Sequence, residues 1–212
     1  IRGIKRVWAF STISEVGLIM VFLGLAGILA NYGSDEALIL GFGGAMLHMC
    51  NHGFAKSQLF FDSGVIIKTC HAEDLNMMGG LGERLPVMKI SFIVGALTLG
   101  LVPGTFGVAT LRELVFNNDV PGLMRIIVIV TASISLIACL SVWHSAFFSR
   151  SSEISGEHLK ISGLMYLPGL FMGVLIVLLG IYFTLQWMGL FFPDSGLKDA
   201  LRILAETTTR SP

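Results

Sequence analysis

Long apolar runs dominate this chain and restrict it to very few folds. A helix needs about 20 mostly apolar residues to cross the hydrocarbon core of a bilayer, and the sequence offers about five runs of that length. They cover roughly 7–31, 37–67, 87–117, 122–148 and 162–192. The first contains one charge, Glu15, and the fifth none. Transmembrane strands would be about 9–11 residues long with strict alternation, whereas these runs are continuous and rich in Leu, Ile, Gly and Met. Charged residues make up only 13% of the chain, against about 25% in soluble globular domains. The expected fold is therefore all-α: a polytopic transmembrane helix bundle of about five spans, one of them discontinuous. The same composition excludes a disordered chain, a coiled coil and a disulfide scaffold.

The connections are short and polar. Residues 31–36, 68–86, 117–122 and 150–160 read as loops, the third a tight turn by its Asn-Asn-Asp-Val-Pro-Gly composition. Residues 1–192 are expected to form the membrane part. Residues 193–212 are expected to form an amphipathic tail with Leu197, Leu201 and Leu204 on one side, lying at the interface or on a partner. Arg2, Lys5 and Arg6 precede the first run, Lys68 and Arg84 fall between the second and third with Lys89 just at the start of the third, and Arg150 and Lys160 fall between the fourth and fifth. The loops around Asp35 and Asp119 carry no basic residue, so the N-terminus is expected on the cytoplasmic side. The basic start leads into a run too long for a signal-peptide core, and Ile1 is expected to be a truncated or processed edge. Cys50, Cys70 and Cys139 are far apart, without a C-x-x-C, which argues against an iron–sulfur or zinc site. No basic cluster with interleaved aromatics is present, so no nucleic-acid partner is expected.

Chemistry concentrates in the second run. His48, His52 and Lys56 are spaced i, i+4, i+8, and each step of four drifts by only about 40° around a helix, so the three share one face. Asn51, Ser57 and Gln58 add polar groups nearby. Ionisable groups at mid-membrane cost about 2.5–3.5 kcal/mol per charge even on the lenient insertion scale, a cost tolerated where the face lines a bundle interior or a wet cavity. Three such groups one turn apart can pass protons by short hops, and a proton or ion pathway is the expected role. Asp62 is either a counter-ion on the same helix or an interfacial residue. Glu15 either pairs with Lys56 across helices or caps a polar patch. In the third run Pro103, Gly104 and Gly107 break the helix. Such a break either lines a cavity, as in transporters, or is a plain loop between two short helices. Arg112 and Glu113 follow it as a cavity-facing or interfacial pair, and His144 near the end of the fourth run is a candidate proton exit. His71 with Glu73 and Asp74 reads as a solvated loop, and no metal or cofactor is expected.

Three motifs, in order, carry a family resemblance. Ile4-Lys5-Arg6-Val7-Trp8-Ala9-Phe10-Ser11-Thr12-Ile13-Ser14 resembles a D-I-K-R-x-x-A-Y-S-S-I-S helix start. His48-x-x-x-His52-x-x-x-Lys56 resembles an H-L-x-x-H-x-x-F-K-A-L-L-F-L helix. Met78-Gly79-Gly80-Leu81-Gly82-Glu83-Arg84-Leu85-Pro86 resembles an M-G-G-L-x-x-R-M-P loop. With the Pro-broken helix that follows, residues 4–115 are similar to the antiporter-like proton-translocating membrane subunits of respiratory complex I, Mrp-type cation/proton antiporters and hydrogenase-4 or formate hydrogenlyase type hydrogenases. Ala72-Glu73-Asp74-Leu75 is most similar to the hydrogenase branch.

The resemblance implies that His48, His52 and Lys56 lie on the family's central hydrophilic axis, with Lys56 switching, the histidines relaying and Glu15 or Asp62 modulating. It implies two inverted five-helix repeats in a full-length member, of which this chain supplies most of the second plus a last helix. The first repeat then lies elsewhere, in the rest of a longer protein or in a separate chain. It further implies a prokaryotic inner or plasma membrane or an energy-transducing organelle membrane, other membrane subunits as partners, and protons or Na+ as the transported ions. Departures are specific. Thr110 falls where the family usually has Lys or Glu, Asp62 replaces a usual Gly, and Glu15 stands where His, Gln or Asn is usual. The implied function is a proton-translocating subunit of an oxidoreductase complex with no redox site of its own. The alternatives are a Na+/H+ antiporter subunit and a structural subunit that no longer pumps.

Overall fold

In the computed structural model the described residues are 3–31, 35–116, 120–149 and 163–189. The side chains of residues 25, 29–31, 35–40 and 113 lie outside that description. So do the amphipathic tail expected at 193–212 and the loop expected at 150–160. Among the described residues six α-helices follow one another: α1 (Ile4–Asn31), α2 (Asp35–Cys70), α3 (Pro86–Leu99), α4 (Gly107–Leu111), α5 (Gly122–Phe147) and α6 (Leu167–Trp187). A π-helical turn, Arg112–Phe116, continues α4. Short 3-10 turns at Leu75–Met77 and Gly163–Met165 lead towards α3 and α6. Among the described residues the only strand-like pairing is an isolated bridge between Gly3 and Asp74.

Residues 4–28, 122–147 and 163–187 are each long and apolar enough to cross a membrane. The other two expected spans differ in length and polarity. At 36 residues α2 is longer still, but its His, Asn, Lys, Gln and Asp side chains make it too polar to be recognised by hydropathy alone. At 14 residues α3 spans only about 21 Å at 1.5 Å per residue. The third expected span is thus the discontinuous one: α3, an irregular stretch at 100–106, then α4 and the π turn. Leu101 adopts φ 56° and Gly104 φ 90° within that stretch. Gly107 restarts the helix where only glycine fits, since an added Cβ would sit 2.6 Å from the Thr98 carbonyl oxygen.

The helices pack in an order that produces three levels. α1 and α2 form an antiparallel hairpin, brought close at its tip because Gly41 lies against Ala26. α5 closes one side of the hairpin, and α3 and α6 the other. At one end Trp8, Leu59, Ile66, Met88, Phe92 and Cys139 belong to a large apolar cluster from α1, α2, α3 and α5. At the other end Leu18, Phe22, Ala45, Leu101, Leu114 and Val128 form a second. Ser11, Glu15, His48, Asn51, Lys56 and Ser135, all buried, occupy the level between them. Outward faces of α1, α5 and α6 expose Phe10, Ile13, Met20, Ile134, Ile137, Phe171 and Leu178, as lipid contact requires.

The loop at 71–85 is only partly solvated. His71 and Glu73 are exposed, but Met78 and Leu81 are completely buried. The glycines of the Met-Gly-Gly-Leu motif allow the backbone to dock on the end of α5: Gly80 N donates to the Ser149 carbonyl at 2.9 Å and Gly82 N to that of Phe147 at 3.1 Å. On the same end of the bundle Lys5 forms an ion pair with Glu73, and Ile4 N donates to the Glu73 carbonyl at 3.1 Å.

Candidate functional site

The i, i+4, i+8 spacing of His48, His52 and Lys56 places all three towards α1. On α1, Ser11 and Glu15 are likewise one turn apart. Because the hairpin is antiparallel, the two rows form a ladder. Lys56 Nζ donates to Ser11 Oγ and, at 3.2 Å, to the Trp8 carbonyl. Its ammonium also lies 5.2 Å from the centre of the Trp8 ring. One rung further along, His48 Nε2 stands 2.8 Å from Glu15 Oε2. Ser135 of α5 donates from Oγ to Glu15 Oε1. Half-buried His52 lies between the two rungs on α2.

Charge explains this arrangement. Lys56 and Glu15 are one base and one acid in the same apolar enclosure, each supported by hydroxyl, carbonyl or imidazole partners. Buried charges persist only when so compensated. An ionised carboxylate is acceptor-only, so His48 carries its proton on Nε2 when Glu15 is ionised. That leaves His48 Nδ1 buried with no partner, and the same holds for His52 Nδ1 and Asn51 Oδ1. Buried polar atoms are almost always paired with protein or water, so these are the points where water or a moving proton has unclaimed capacity. Asn51 ties the ladder to the broken helix, donating from Nδ2 to the Thr98 carbonyl at 3.3 Å.

The structure thus brings together His48, His52, Lys56 and Glu15. Glu15 meets His48 and Ser135, not Lys56. Asp62 is fully buried but turned towards α3 and α6 rather than α1, and its Oδ2 accepts from Ser91 Oγ at 2.8 Å. Thr110 on α4 is fully buried with Oγ1 unpartnered. Arg112 stands half-buried in the π turn, and the side chain of Glu113 lies outside the described residues. Pro103 and Gly104 are exposed, while Thr105–Thr110 are buried beside α2 and α6. His144 is on the exposed face of α5, stacked on Phe148 and away from the ladder. Ser11 and Ser135 are the residues that sequence reasoning did not single out. Ser11 was findable from its one-turn spacing to Glu15. Ser135 is one of several serines in an apolar helix, and nothing local marks it.

Helices of membrane-crossing length, with buried ionisable side chains between two of them, define an integral membrane protein. The chain belongs to the NADH:quinone oxidoreductase/Mrp antiporter transmembrane family, whose model matches residues 2–138. It is 35% identical over 110 residues to formate hydrogenlyase subunit 3 of Escherichia coli, covering 51% of this chain and 18% of that protein. It is 28% identical over 197 residues to Na(+)/H(+) antiporter subunit A1 of Staphylococcus aureus, covering 85% and 25%. It is 37% identical over 101 residues to NADH-quinone oxidoreductase subunit L of Pseudomonas aeruginosa, covering 47% and 14%. The chain therefore spans a quarter or less of the length of these relatives.

Proposed function

We propose that this chain is a proton-translocating membrane subunit of a multi-subunit oxidoreductase, of NADH-quinone oxidoreductase or membrane-bound hydrogenase type. Electron transfer takes place elsewhere in the complex and drives proton movement through the ladder. The observation that carries this reading is the enclosed row of Lys56, Ser11, His52, His48 and Glu15 at the level between two apolar clusters. Lys56 is the switching group: it releases a proton when charged and takes one up when neutral. Ser11 both accepts and donates, and His52 bridges towards the Glu15–His48 pair, where a proton moves between imidazole and carboxylate. Asp62 modulates from the side of α2 that faces α3 and α6, and Thr110, Arg112, Glu113 and His144 are secondary candidates for the outlet. The N-terminus faces the cytoplasm. Other membrane subunits surround the bundle, and the first repeat comes from a further segment or a separate chain.

Replacing Lys56 by Ala in the intact complex tests this. Coupled proton uptake into vesicles is expected to disappear while electron transfer to artificial acceptors continues. Unchanged uptake would overturn the reading and leave the chain a structural subunit. A second reading, a Na+/H+ antiporter subunit, is favoured by the 85% of this chain that aligns with the staphylococcal antiporter subunit. Sodium-dependent proton movement in the same vesicles, without an electron donor, would select it.

A further inference from the structure

Helix α2 buries polar side chains on two faces, and only one belongs to the ladder. Gln58 and Asp62 are one turn apart, both completely buried, and meet α3 and α6. Ser91 of α3 donates from Oγ to Asp62 Oδ2 at 2.8 Å. Gln58 Nε2 donates to the Ser91 carbonyl at 2.6 Å and to Ser91 Oγ at 3.1 Å. The backbone of α6 closes over the group through two glycines. Gly169 lies against Asp62 Oδ1, and a Cβ on Gly173 would sit 2.8 Å from Gln58 Nε2.

Two acceptors are left over: Asp62 Oδ1 and Gln58 Oε1 are buried without a hydrogen-bond partner. The surrounding elements supply Asp62 with no cation among the described residues. Lys56 of the same helix is engaged by Trp8 and Ser11. Lys89, the sole charged side chain of α3, lies over the Phe148 ring at 5.2 Å. α6 contains no charged residue; its Tyr182 is exposed, and Tyr166 just before it packs on the large apolar cluster. Glu15 and His48 are committed to each other between α1 and α2. A carboxylate left without a counter-charge in such a place is strongly unfavourable, and so is an unmet amide oxygen. A single small cation on Asp62 Oδ1 supplies the missing counter-charge, and the Gln58 amide oxygen, one turn back on the same helix, is a further free acceptor for it.

We propose that Asp62, with Gln58 and Ser91, forms a second monovalent-cation site inside the bundle, separate from the Lys56 ladder, closed by Gly169 and Gly173 and occupied by a proton or Na+. It extends the ion-translocating reading, but its test does not require that the ladder pumps. Everted membrane vesicles holding the intact complex are treated with a hydrophobic carbodiimide, which adds to protonated carboxyl groups, and the peptide bearing residue 62 is analysed by mass spectrometry. Asp62 is expected to be modified. If Na+ is the occupant, Na+ at about ten times its dissociation constant lowers the modification about tenfold and K+ does not. If a proton is the occupant, modification falls as pH rises and Na+ acts no differently from K+. Asp62→Asn retains an oxygen for Ser91 and should assemble normally without modification. Recovery of the wild-type peptide unmodified at every pH, or modified regardless of Na+ and pH, would overturn the site. Loss of the modification in an assembled Lys56→Ala complex would overturn its separateness from the ladder.

Discussion

Glu15 Oε2 and His48 Nε2 face each other at 2.8 Å, with side chains 1% and 2% exposed. Removing one member of a buried pair strands the other and typically costs about 3–5 kcal/mol, whereas replacing both by apolar groups is often neutral. Glu15→Leu and His48→Leu are each expected to lower the thermal stability of the purified complex, and the double variant to regain most of the loss. A coupling energy of at least about 1 kcal/mol is expected from the cycle. Strictly additive losses would show that the two side chains do not act as a pair.

Lys56 is held by a carbonyl, a hydroxyl and an aromatic face, with no carboxylate in direct contact among the described residues. Such a setting suits a charge that comes and goes. Arginine retains the positive charge but does not deprotonate in proteins. Lys56→Arg is therefore expected to assemble yet to reduce coupled proton uptake to the level of Lys56→Ala. Uptake close to wild type in the arginine variant would mean that a fixed charge, rather than proton exchange, is what position 56 supplies.

Much of the scaffold was legible because hydropathy and helix period are local. The extents of α1, α2 and α5 follow the apolar runs to within a few residues, and the shared face of His48, His52 and Lys56 follows from their spacing. Partners across helices were not legible. Glu15 was open to Lys56 or to a polar patch, and the choice of His48 depends on the register of the hairpin, which is set by contacts such as Gly41 on Ala26. In sequence Asp62 was either a counter-ion on the same helix or an interfacial residue, but six residues from Lys56 turn a helix by about 240°, which directs it to α3 and α6 instead. The π turn at Arg112–Phe116 has no signature in composition.

Glycines on α6 and α1 should behave oppositely. A Cβ on Gly180 would overlap the backbone of Thr105 and come within 2.7 Å of the Gly104 carbonyl oxygen, and backbone cannot move aside as a flexible side chain can. Gly180→Ala is expected to destabilise the complex by about 1–3 kcal/mol, as overpacking does. Gly17 on the outer face of α1 has nothing within 4 Å, so Gly17→Ala gains helix propensity, about 0.5–1 kcal/mol. Thermal melts of both variants check the contrast. Equal effects would show that α6 does not press on the broken helix.

Gly104 in the break and Gly107 just after it have different duties. Gly104 has φ 90° and is exposed, with nothing within 4 Å of its missing Cβ. Gly104→Ala is therefore a question of backbone strain, about 1–3 kcal/mol, and proton uptake per electron should be unchanged. At Gly107 the missing Cβ would sit 2.6 Å from the Thr98 carbonyl oxygen, the acceptor for Asn51 Nδ2 between His48 and His52. Gly107→Ala must displace that carbonyl and with it Asn51, so coupling should fall even in complexes that still assemble. Measuring stability and proton-to-electron ratio for both variants separates the two roles. If Gly107→Ala loses stability alone and retains the wild-type ratio, the broken helix does not act on the ladder through Asn51.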